Sequence, residues 1–247
     1  MRCRLLPHEA ADGPINMATD EVLLNEVAES PDHAILRFYS WTIPTLSLGY
    51  FQSLRDVEAD PRWKDVAVVR RLTGGGALWH HHEITYAFIV PTTHPRSGRG
   101  GQLYECIHGI IARVLQQHGL DARRRGGYNS ISEATRPFLC FKDRDPEDLI
   151  LGGAKVVGSA QRRRARAVLQ HGSLLLRHSE ATPELPGVRD LADLHDRAMN
   201  WPVVLGDAMI DSLELEPVPS ALSDVERHQI QAWSDAVYRN PSWTRRK

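Results

Sequence analysis

Apolar residues along this chain keep two rhythms. Within residues 16–30, Leu23, Leu24 and Val27 recur on one side at helical spacing, and Asp20 and Glu21 lie near the start, where carboxylates suit a helix N-terminus. Residues 34–39 and 45–48 read as short strands parted by a turn at Pro44. A largely apolar run from 67 leads into Arg70 and Arg71, then Thr73-Gly74-Gly75-Gly76, after which 77–80 and 84–91 resume β-type patterning. Leu103, Ile107, Ile110, Ile111, Val114 and Leu115 predict a second helix, closed by Gly119.

The stretch 121–147, rich in Arg, Gly, Ser and Pro, reads as loop with one or two short strands, Cys140 in an apolar one of them. Three β-like runs follow at 149–151, 155–161 and 167–176, joined by Gly152-Gly153 and an arginine-rich turn. Prolines and acids mark 179–202, and 222–238 reads as a late helix with Ser223 and Glu226 placed as a capping box. Strands in clusters broken by helices predict an α+β fold, with mixed or antiparallel sheets packed against helices. At 247 residues the chain can bury a sizeable core, and 1–247 is read as one domain.

Composition narrows the functions open to it. Thirty basic against 31 acidic residues leave a net charge of −1, so nothing calls for nucleic acid or an anionic membrane. No apolar stretch approaches the ~20 residues a bilayer span needs, and MRCRLLPHEA lacks the apolar core of a leader. Cys3, Cys106 and Cys140, odd in number and far apart, fit a reducing, cytoplasmic setting. Only Lys64, Lys142, Lys155 and Lys247 are lysines, so a lysine at a tight, glycine-flanked position stands out as a slim, titratable amine.

Four constellations carry candidate chemistry. Arg70-Arg71-Leu72-Thr73-Gly74-Gly75-Gly76 could bring backbone N–H groups close to an anion or serve as a plain turn, but it has neither Walker nor dinucleotide spacing. His80-His81-His82 are adjacent on a strand or turn and point to opposite faces, so no metal site is expected. Cys140 is a small core hydrophobe unless a nearby cation favours its thiolate. Lys155 opens an apolar strand directly after two glycines, and Gly158 and Gly172 sit inside strands where something must come close. Arg162, Arg163, Arg164 and Arg166 are read as a solvated hairpin tip or as a basic edge that docks an acidic partner.

Taken together, Asn16-Met17-Ala18-Thr19-Asp20-Glu21, Leu36-Arg37-Phe38-Tyr39-Ser40-Trp41, Ser47-Leu48-Gly49-Tyr50-Phe51-Gln52, Arg70-Arg71-x-Thr73-Gly74-Gly75, His80-x-x-Glu83-Ile84-Thr85-Tyr86 and Lys155-Val156-Val157-Gly158-Ser159-Ala160-Gln161…Leu169-Gln170-His171-Gly172-Ser173 resemble the biotin/lipoate protein ligase superfamily, in its order, over about residues 10–178. The resemblance implies that family's catalytic-domain fold, similar to class II synthetases, with 179–247 as an extension. The chain looks most like the octanoyltransferases that pair a cysteine with a lysine fifteen positions later, as Cys140 and Lys155 stand here. Those enzymes move octanoyl from acyl carrier protein to a lipoyl-domain protein such as the glycine cleavage H protein, with no ATP or other cofactor and no metal. Gly76 and His81 replace the Arg and Asp usual in that branch, and the triple glycine is closer to the ATP-using ligases.

By that resemblance Cys140 and Lys155 are catalytic, and Arg71, Thr73, Gly74, Gly75, Gly76, His80, Gly158, Ser159, Gln161, His171 and Gly172 bind substrate. Lys155 would favour the thiolate and take the proton of the attacking amine. Gly158 and Gly172 are expected to make room for an apolar acyl tunnel. Other readings are an ATP-dependent lipoate–protein ligase with Lys155 on carbonyl and phosphate, a binding module without turnover, and an amidotransferase acting between lipoyl domains.

Overall fold

The computed structural model describes residues 1–98, 101–127, 137–142, 145–192 and 199–246. Its strands are β1 (Arg2–Leu5), β2 (Glu9–Ala11), β3 (Ala34–Trp41), β4 (Thr45–Leu48), β5 (Ala67–Arg70), β6 (Leu78–His80), β7 (Glu83–Pro91), β8 (Arg123–Arg124), β9 (Leu149–Leu151), β10 (Ala154–Arg163), β11 (Ala167–Leu175) and β12 (Glu216–Pro219). The helices are α1 (Gly13–Glu29), α2 (Arg55–Glu58), α3 (Gln102–Gln117), α4 (Val188–Leu191), α5 (Trp201–Ser212), α6 (Asp224–Trp233) and α7 (Pro241–Thr244). A nine-stranded mixed sheet runs β12-β1-β3-β7-β11-β10-β9-β8, with β2 also on β3, and a three-stranded sheet runs β5-β4-β6. This is the α+β architecture expected, antiparallel from β3 to β8 and parallel at the β12-β1-β3 end.

Both faces of the large sheet are covered, so β3, β7 and β11 are buried along nearly their whole length. Alternate residues serve two cores. Leu36, Phe38, Phe88 and Val90 pack with Leu103, Ile107 and Ile111 of α3 and Trp201, Leu205 and Met209 of α5. Ile35, Tyr39, Ala87, Ile89 and Leu169 pack with Leu23, Leu24 and Val27 of α1. Each fully buried large aliphatic or aromatic side chain contributes about 1.5–3 kcal/mol against the entropy of ordering it. Residues beyond 178 thus enter the same core through α5, and β12 pairs with β1 in parallel.

Two local expectations change. α1 begins at Gly13, where the Asp12 side chain accepts from the Ile15 N–H, and Asp20 and Glu21 are buried rather than aimed at the helix end. The arginine-rich turn is solvated at Arg163, Ala165 and Arg166, but its side chains are tied down: Arg164 pairs with Glu21 at 2.6 Å, and Arg163 and Arg166 donate to backbone carbonyls. The late helix and its Ser223/Glu226 capping box form as read.

Candidate active site

Cys140 does not lie in a strand. It opens a 3₁₀ turn, Cys140–Lys142, half-buried, with its N–H donating to the Ala77 carbonyl at 2.7 Å while the Ala77 N–H donates to Phe138 at 2.7 Å. This two-bond stitch lays the cysteine along the glycine segment. A Cβ on Gly76 would meet the Cys140 nitrogen at 2.9 Å and the Phe138 oxygen at 3.0 Å, so the third glycine is demanded by the cysteine's own backbone. Gly75, at φ +91°, turns its carbonyl onto Gly49, where a Cβ would sit 1.9 Å from that oxygen.

Lys155 reaches the cysteine from β10. The pairing of β10 with β9 shifts register between Lys155 and Val157, a bulge of the kind that re-aims a side chain. Its Nζ donates to the Cys140 carbonyl at 3.0 Å, stands 3.7 Å from Sγ and pairs with Asp148 Oδ1 at 2.9 Å. The side chains of Lys155 and Asp148 are 6% and 5% exposed, so little water screens the pair. Burial pushes the Asp148 carboxyl up, and the Lys155 charge opposes that rise. A Cβ on Gly158 would lie 2.6 Å from Lys155 Cε, and one on Gly172 would lie 2.2 Å from Ser159 Oγ. Lys155 and Ser159 thus fill part of the room these glycines leave, and both glycines also line the cavity beside Cys140.

On the glycine segment beside the cysteine, Arg71 gathers further polar groups. Fully buried, it donates from Nε to Thr73 Oγ1 (3.2 Å), and its two terminal nitrogens donate to Ser47 O and Oγ (3.0 and 3.1 Å) and to the carbonyls of Gly74 and Gly76 (2.9 and 2.6 Å). Every N–H is engaged by a neutral oxygen; burial lowers its pKa, and the sulfur of Cys140 acts on it in the opposite sense. Each hydroxyl that Arg71 touches continues into an imidazole and a carboxylate. Thr73 meets His171 Nε2 at 2.8 Å and His171 Nδ1 meets Asp20 at 2.8 Å; Ser47 meets His80 Nε2 at 2.8 Å and His80 Nδ1 meets Glu83 at 2.6 Å. Because Arg71 donates to both hydroxyl oxygens, each hydroxyl proton is left for its imidazole Nε2, and each Nδ1–H faces its carboxylate. Burial lowers the His80 pKa. A third unit, His108 Nε2 to Ser159 Oγ at 2.6 Å, has its histidine pushed down to about 4 by burial.

Ser47, Arg71, His80, Ser159 and His171 line a narrow cavity of about 50 Å³ together with Met17, Tyr39, Leu78 and Cys140. Although half of its lining residues are polar, its surface is almost wholly apolar, because their polar atoms bond one another. Of the residues read from the sequence, Arg71, Gly74, Gly75, His80, Cys140, Gly158, Ser159, His171 and Gly172 line the cavity. Thr73 stands behind His171, Gly76 behind Cys140, Lys155 against both Cys140 and Asp148, and Gln161 instead bonds Gln170 at 2.8 Å. Sequence reasoning missed Asp148, Asp20, Glu83, Ser47 and His108. A carboxylate just before a hairpin whose second strand opens with an isolated lysine was the available signal for Asp148. Among the described residues no group of three or more His, Cys, Asp or Glu is placed to hold a metal ion.

Residues 12–183 match the lipoyl protein ligase A/B catalytic domain. Octanoyltransferase LipM of Moorella thermoacetica is 38% identical over 177 residues, 70% of this chain and 64% of the relative, just under two thirds of its length. Octanoyltransferase LipM of Symbiobacterium thermophilum is 32% identical over 99% of this chain and 98% of its own. In fold, the chain is similar to lipoate-protein ligase A bound with ATP (TM-score 0.75, 21% identity, 99% of each chain) and to a bipartite lipoate protein ligase of Thermoplasma acidophilum (TM-score 0.72, 19% identity, 99% and 96%). With its site built on the segments that the match spans, the chain belongs to the lipoyl protein ligase A/B catalytic-domain family.

Proposed function

We propose that the chain is an octanoyltransferase that takes octanoyl from acyl carrier protein onto Cys140 and passes it to a lysine of a lipoyl-domain protein, such as the glycine cleavage H protein. The observation that carries this reading is the Lys155 ammonium, 3.7 Å from Cys140 Sγ and held by Asp148 at 2.9 Å. A buried cation beside a half-buried thiol favours the thiolate. Cys140 attacks the donor thioester carbonyl, the carrier's thiolate leaves and takes a proton from Lys155, and an acyl-cysteine remains beside a neutral amine. That amine then accepts the proton of the attacking acceptor lysine as the amide forms and the Cys140 thiolate departs, restoring the starting ion pair. A thioester exchange followed by amide formation runs downhill without a nucleotide.

The relatives named octanoyltransferase support the same reading. The triple glycine, which by sequence leans toward ATP-using ligases, has a local cause in the contact of Gly76 with Cys140. An eight-carbon chain exceeds a cavity of about 50 Å³, room for about four waters at ~10–15 Å³ each, so the walls part to admit it. Met17, flexible and apolar, is the wall best suited to move, and each buried methylene then adds about 0.8 kcal/mol of binding. Intact-mass measurement after incubation with octanoyl-carrier protein and no ATP tests the proposal. One octanoyl group on Cys140, absent from Cys140→Ala, is expected; ATP-dependent loading of free lipoate that survives Cys140→Ala would overturn it.

A further inference from the structure

Beyond the family match, the C-terminal segment returns to the shoulder of the site and brings charge with it. The Arg246 guanidinium lies 4.3 Å from the Tyr50 ring centre and 4.6 Å from that of Trp243, and it donates to the Tyr50 hydroxyl at 2.7 Å. Arg162, two residues past cavity-lining Ala160 on β10, approaches the same Tyr50 ring at 5.4 Å, and its Nε is buried without a hydrogen-bond partner. Underneath, fully buried Arg70 donates to the carbonyls of Gly49 and Gln52 on one side (2.9 and 2.6 Å) and of Thr244 on the other (2.6 Å), tying the C-terminal helix to the Tyr50 turn. Burial lowers the Arg70 pKa, and repulsion from Arg246 lowers it further.

Two guanidiniums, Arg162 and Arg246, thus meet around one tyrosine above buried Arg70, and none of the three makes an ion pair among the described residues, whereas Arg164 and Arg239 have carboxylate partners. Gathering like charges is unfavourable until an anion arrives. The location is specific: the Tyr50 N–H donates to the Thr73 carbonyl at 2.8 Å, and Gly49 rests on Gly75, one residue from the Gly76 that supports Cys140.

We infer that this cluster docks the acidic face of the acyl donor, a carrier protein that must bring its thioester to Cys140; the inference rests on the transferase reading above. Stacking on Tyr50 holds the planar guanidiniums of Arg162 and Arg246 extended and ready to meet carboxylates at little ordering cost. The test measures binding of octanoyl-carrier protein by fluorescence anisotropy to the full chain, to Arg162→Glu/Arg246→Glu, and to Arg246→Gln, which keeps a donor for Tyr50. It is run alongside Cys140 acylation from octanoyl-pantetheine, an uncharged thioester without the carrier. Binding on the order of tenfold weaker in the double variant, an intermediate loss in Arg246→Gln, and wild-type affinity that falls with salt are expected, with acylation from octanoyl-pantetheine unaltered. Equal carrier binding by all three proteins would overturn the inference, as would a matching loss of the octanoyl-pantetheine reaction. A carrier that binds at the patch yet leaves Cys140 unacylated would sink the transferase reading and leave the docking surface standing.

Discussion

Two polar clusters beside one cavity use the same kinds of group to opposite ends. In one, Ser47, Thr73, His80, His171, Glu83 and Asp20 form hydroxyl–imidazole–carboxylate chains whose members bond each other and Arg71. In the other, Cys140, Lys155 and Asp148 form a nucleophile, a cation and a carboxylate with sulfur half-buried and within reach of the ammonium. The connectivity of the first resembles a hydrolase triad. Yet an arginine donating to each hydroxyl oxygen draws electron density away from it, so these chains hold a wall in place. A nucleophile needs a lone pair that nothing else claims.

If this contrast is right, Lys155→Met should slow acyl transfer by about 10³-fold, read as single-turnover acylation and aminolysis, while circular dichroism stays native. Asp148→Asn should reproduce a good part of that loss and move the alkaline side of the pH–rate profile to lower pH, because the ammonium loses its counter-charge. Unchanged rates in both would erase the distinction between the two clusters. The satisfied wall has its own signature in acid. His108 is held neutral, its pKa depressed to about 4, and the unfolded chain binds the proton that the fold refuses. Stability present at neutral pH should fall as pH drops from ~6.5 to about 4 and then level off, by roughly 3 kcal/mol from this group, measured by urea unfolding. His108→Gln should flatten that slope. Smallest of all, Ser47→Ala or Thr73→Val should change transfer less than about tenfold, a steady-state measurement; a loss matching that of Lys155→Met would mean the hydroxyls react.

The two clusters were not equally readable from the sequence. Lys155 stood out because a lysine is rare here, and Cys140 because the branch the chain resembles pairs a cysteine with a lysine fifteen positions later. Short β-type runs bounded by turns made β3, β7 and β11 legible as strands, and their alternate residues face one core or the other. Asp148 was not legible: its role depends on a hairpin and a bulge that turn Lys155 toward it. Cys140 read as strand because Phe138, Leu139 and Phe141 are apolar, yet the stitch to Ala77 puts it in a 3₁₀ turn. Asp20 looked like a helix-end acid because nothing local reveals that His171, 151 positions away, will meet it. Arg246 and Tyr50 are likewise joined only across 196 positions.

The inward-turned polar atoms of the cavity wall also bear on timing. A thioester beside groups with idle donors and acceptors would sit next to an oriented water and hydrolyse. Here the wall away from Lys155 offers such a water little foothold. On the transferase reading, the loaded enzyme can outlive the departure of one protein and await the arrival of another.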